Sequence, residues 1–200
     1  MPNPAGCQER KARVRALEMR AGRHKLAAAA QLFALLAGCS EPASHAPAEP
    51  SEQALVSYDG WRALSPEDDP FVTDVQAVPS CLSSGLRAEA DTGWAELDTS
   101  QCGWITLRAS ALTAVTREQV LRLVVSHYDL EAPEPAEARL ELRFGDCEVW
   151  SKSIPIPSPA AVYPEQLSSP CDLAADGPVL FHLNNHGQNT WQLQALTLVE

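Results

Sequence analysis

The chain has 200 residues, 26 acidic against 15 basic side chains and a net charge of −11. Such a balance lacks the basic footprint that tracks a phosphate backbone, which excludes nucleic-acid binding as a function. With 45% hydrophobic residues, the chain is long enough for one packed core.

Residues 1–38 have the layout of an export signal. A basic run, RKARVRALEMRAGRHK, precedes the apolar LAAAAQLFALLAGC, which is too short to span a membrane as a helix. Met19 offers a second start that leaves a signal of ordinary length. The segment ends in Leu36-Ala37-Gly38-Cys39, which resembles the lipobox of bacterial lipoproteins. That resemblance implies cleavage before Cys39, acylation of its thiol with palmitate-class chains and a membrane partner reached through the acyl anchor. With Ser40 following, it further implies sorting to the outer membrane of the cell envelope. Residues 39–54, mostly Pro, Ala, Ser and Glu, have no apolar period and are expected to be a disordered tether containing His45. The folded domain is expected over 55–200. From Cys39 onward eight basic side chains face 24 acidic ones, a balance of −16.

Cys7 falls in the signal and Cys39 in the lipobox, leaving Cys81, Cys102, Cys147 and Cys171. An even count in an exported domain predicts two disulfides. Three pairings satisfy it; the local ones, Cys81–Cys102 and Cys147–Cys171, are favoured because each closes a modest loop beside a predicted strand. No CxxC or Cys/His pair has zinc-ligand spacing.

The remaining chain shows short period-two runs broken by Pro and Gly. Strands are predicted at 71–78, 86–90, 94–97, 102–108, 112–116, 121–127, 139–144, 147–153, 179–183 and 190–199. In RLELRF, Leu140, Leu142 and Phe144 share one face and Arg139, Glu141 and Arg143 the other. TREQVLRLVV has two readings, since Thr116 and Gln119 form a capping box for a helix. Val124 and Val125 tip it toward strand. The expected fold class is all-β, a sandwich or barrel.

The succession LRLVVSHYDL, ARLELRFGDCEVWSKSIPIP and PVLFHLNNHGQNTWQLQALTLV resembles the latter half of a galactose-binding-like jelly roll, over Leu112 to Val199. The resemblance implies a jelly-roll-type β-sandwich and carries no site residue across. Trp191 and Leu193 fall out of phase with Leu196 and Leu198, so a bulge is required in the last strand. FHLNNHGQNTWQL is expected to be the closing hairpin, with Asn185, Gly187 and Asn189 supplying the turn.

No GxSxG elbow, P-loop, HExxH or dinucleotide fingerprint is present. Asp98, Ser100 and His127 make a triad only on paper. His127, His182 and His186 are the metal-capable set. Residues four apart on a strand lie about 13 Å apart, so His182 and His186 share an ion only across a sharp bend. His127, at the end of an apolar face, is expected to bond a backbone carbonyl or Asp129. Among the five tryptophans, Trp61 and Trp150 are the candidates for exposed, ligand-stacking rings, and Trp104 and Trp191 for the core. No metal or cofactor is expected. The expected function is a non-catalytic binding domain for a glycan or an envelope protein partner, against a purely structural envelope component and, third, a hydrolase.

Overall fold

The computed structural model describes residues 51–71, 80–185 and 189–200. Cys39 and the signal, His186 and Gly187, and most of the predicted strand 71–78 lie outside the described residues. Eleven strands are described: β1 (Glu52–Ala54), β2 (Arg62–Ala63), β3 (Leu86–Glu89), β4 (Trp94–Asp98), β5 (Trp104–Ser110), β6 (Val120–His127), β7 (Ala136–Phe144), β8 (Cys147–Ile156), β9 (Ala161–Ser168), β10 (Pro178–Asn184) and β11 (Thr190–Val199). They form two antiparallel sheets. The first runs β3-β4-β11-β6-β9, with β1 also paired to β11; the second runs β2-β5-β10-β7-β8. From β5 onward every connection except the β7–β8 hairpin changes sheet, which is the winding of a jelly-roll-type β-sandwich.

Period-two alternation builds this core. Ala138, Leu140, Leu142 and Phe144 of β7 are buried between the sheets, as are Val179, Phe181 and Leu183 of β10. Leu121, Leu123 and Val125 of β6 meet them from the other sheet, with Trp191, Leu193, Leu196 and Leu198 of β11. Each fully buried Leu or Phe contributes about 1.5–3 kcal/mol. The alternation of β11 survives because its register against β6 shifts between Leu193 and Ala195, the bulge that its sequence requires. The β7–β8 turn is two residues long, and Gly145 enters it at φ +58°, a conformation that costs a Cβ-bearing residue more.

Several expectations are corrected. The sandwich takes up part of the expected tether: Glu52 and Ala54 pair with Val199 and Thr197. Residues 112–116 form a loop with a single bridge, Val115 to Leu173. Thr116 and Gln119 do make reciprocal bonds, N–H to Oε1 at 2.7 Å and N–H to carbonyl at 3.2 Å. No helix follows, because Glu118 sits at φ +72° and β6 begins at Val120. FHLNNHGQNTWQL does not close a hairpin, since β10 and β11 belong to different sheets. β9 was not among the predicted strands. Its Pro164 is tolerated because β9 is the sheet edge.

Both disulfides form, Cys81–Cys102 and Cys147–Cys171. The first closes over Gly85, where a Cβ would lie 2.6 Å from that of Cys81, so the loop admits only glycine without rearrangement.

Candidate functional site

The same alternation that fills the core projects a second set of side chains outward from the second sheet. Cross-strand register arranges them in rows. Ser153, Arg139, Asn184 and Trp104 form one row across β8, β7, β10 and β5; Ser151, Glu141, His182 and Thr106 form the next. The β5 end of this face is capped. Phe71 stacks on His182 with centroids 4.2 Å apart and planes 12° apart, and Trp104 tilts against the same imidazole. Thr106 Oγ1 and His182 Nδ1 are hydrogen-bonded at 2.7 Å. The Arg143 guanidinium lies 4.5 Å from the Phe71 ring centre and pairs with Glu141. Phe71, Trp104, Thr106 and His182 are all buried, a small cluster outside the main core.

Beside this cap lies a cleft of about 510 Å³, lined by Phe71, Pro135, Arg139, Glu141, His182 and Asn184 among others. Donors and carboxylate acceptors alternate along its floor. Arg139 Nε donates to Glu137 at 3.2 Å, and Ser153 donates to the same Glu137 oxygen at 3.0 Å. An array of fixed donors and acceptors about 5 Å apart across strands suits a ligand bearing many hydroxyl groups.

His182 is therefore at this site, as an element of the cap. His127 is not. It faces the core from β6, 3% exposed and packed against Trp191 at 4.7 Å. Its Nδ1 bonds the Tyr128 carbonyl at 2.6 Å and its Nε2 the Tyr163 hydroxyl at 3.1 Å. A carbonyl only accepts, so Nδ1 carries a proton and donates it to Tyr128. The carbonyl partner matches expectation; Asp129 instead accepts the Ala160 N–H. His127 and His182 lie on different sheets, one inside and one outside, and share no site. Nor does the paper triad assemble, for Asp98 points outward from β4 while His127 points inward from β6. The Ser100 hydroxyl and amide, with Arg87 nearby, hold the Asp98 carboxyl below its ordinary value against a partial desolvation.

Trp61 corrects another expectation: it is 4% exposed and belongs to the core. Trp150 is half-buried against that core. Trp94, on the outer face of the first sheet, is also half-exposed. Sequence reading missed Phe71, Arg139, Glu141 and Asn184 as site residues. The polar side of RLELRF was legible, but as a solvated face.

The chain is thus a disulfide-bonded jelly-roll β-sandwich, the chemistry of an exported domain. No family model matches it, and no curated protein matches it in sequence. Among solved structures it is similar to an arabinose-bound MgGH51 α-L-arabinofuranosidase, over 74% of this chain and 25% of that one, at 8% identity and TM-score 0.43. It spans about a quarter of that enzyme. It is also similar to a CBM4 structure over 70% of this chain and 86% of that one, at 9% identity and TM-score 0.41. A variant of a family 29 carbohydrate-binding module matches over 76% and 92%, at 12% identity and TM-score 0.39.

Proposed function

We propose that this protein is a non-catalytic glycan-binding module carried on the bacterial cell envelope by an acyl anchor at Cys39. The cleft on the outer face of the second sheet supports this reading most directly. Its floor presents Arg139, Glu137, Glu141 and Asn184 at fixed strand spacings, flanked by the capped His182. Sugar hydroxyls donate and accept, so alternating cations, carboxylates and amides complement them better than an apolar pocket does. Backing by β-strands fixes the backbone positions from which these groups project before ligand arrives, which lowers the ordering cost of binding. The acyl anchor rests on the lipobox of residues 36–39 and on an acidic domain that anionic lipid repels.

A glycan array probed with the chain from Pro47 onward, the unit that contains the sandwich, tests the reading. Binding is expected, with Arg139→Ala and Asn184→Ala each weakening it about tenfold at unchanged melting temperature. Retention of full affinity in both variants would move the site off this face.

A further inference from the structure

The row adjoining the cleft on the same face has a different character. Arg62 of β2 stands directly opposite Arg108 of β5, which stands opposite Leu180 of β10, which stands opposite Arg143 of β7. Three arginines in one cross-strand row is unexpected in this domain. From residue 51 on, acidic side chains number 22 and basic ones eight. Five of those eight have carboxylate partners: Arg87, Arg122, Arg139, Arg143 and Lys152. Arg62, Arg108 and Arg117, all exposed, have none among the described residues, and of these Arg62 and Arg108 stand directly opposite one another. Like charges directly opposite on an antiparallel pair destabilise it. With so many carboxylates available, an unrelieved Arg–Arg pair is a local cost that a ligand can offset.

Geometry gives the pair its direction. Arg62 Nη1 donates to the carbonyls of Asp59 and Trp61 at 2.6 and 2.7 Å. The head group is thereby held at its Nη1 side, leaving the Nε–Nη2 edge for a bidentate acceptor. Arg108 lies two residues along β5 from Thr106, so its row runs about 7 Å from the His182 row that borders the cleft. A polymer running from the cleft past the Phe71 cap would meet this row next.

We infer that Arg108, with Arg62 beside it, is an anion subsite of this face, and that the ligand class is a polysaccharide bearing carboxylate or sulfate groups. The inference rests on the glycan reading above and names its substrate class. A domain of this net charge repels polyanions in general, so binding to one must be localised at such a row.

Affinity measurements on the full-length protein, purified in mild detergent, with polygalacturonate, dextran sulfate and uncharged dextran provide the test, alongside an array of neutral and acidic glycans. Tight binding is expected to one polyanion, and which one distinguishes carboxylate from sulfate. Arg108→Gln should cost about tenfold, the Arg62→Gln/Arg108→Gln pair more, at unchanged melting temperature. Polyanion binding that is untouched in the double variant, or binding confined to uncharged glycans, overturns the anion subsite and leaves the glycan reading standing. Failure to bind any glycan, charged or neutral, overturns both.

Discussion

Asn185 and Asn189 show how much of a polar-rich stretch goes into architecture. Asn185 is fully buried and Asn189 4% exposed. Asn185 Nδ2 donates to Thr99 Oγ1 at 2.8 Å, and that hydroxyl donates to the Asn189 carbonyl at 2.9 Å. Asn189 Nδ2 donates to Asn185 Oδ1 at 3.2 Å, and its Oδ1 accepts the Glu131 N–H at 3.0 Å. The two asparagines together tie the β4 end to the β6–β7 connection. Removing a member strands buried partners, each costing about 1–3 kcal/mol. Asn185→Ala is accordingly expected to lower unfolding free energy by about 2 kcal/mol in urea titration. A loss below about 0.5 kcal/mol would show that water replaces the amide without penalty.

At the scale of elements, Cys81–Cys102 joins two irregular connections, and Cys147–Cys171 ties a third to β8. Cys81–Cys102 spans 21 residues and Cys147–Cys171 spans 24. The chain-entropy model gives each about 3 kcal/mol, comparable with a large part of a small domain's net stability. Replacing Cys147 and Cys171 together by Ser should therefore lower unfolding free energy by about 3 kcal/mol; a change within error would mean the β7–β8 hairpin is already fixed by its own pairing. These staples were legible from cysteine count and loop length. So were β7 and β10, where alternation is clean, β11 with the bulge its pattern requires, and β6 once Val124 and Val125 tipped it toward strand. What escaped was set by tertiary context. β9 hid behind Pro164, because an edge strand's tolerance of Pro is invisible before the sheet is known. β10 and β11 looked like a hairpin, because alternation says which face a residue takes but not which sheet its strand joins. Phe71 and Trp61 could not be assigned from local pattern, since one caps an outer sheet face and the other fills the core from a loop.

For the whole molecule, charge and the proposed attachment act in opposite directions. A chain with a balance of −16 from Cys39 onward is pushed away from an anionic surface over about a Debye length. Electrostatics therefore works against membrane residence, and under the proposed attachment the acyl chains at Cys39 would have to carry it. Each buried methylene contributes about 0.8 kcal/mol, so more than one chain outweighs that repulsion. The balance leads to a paired expectation in membrane fractionation. High-salt washing should leave the native protein in the pellet, because no attractive charge contact is there to screen. Cys39→Ser should move it to the soluble fraction. Salt release of the native chain would point to a protein tether instead, and a Cys39→Ser variant that stays in the pellet would exclude the acyl anchor.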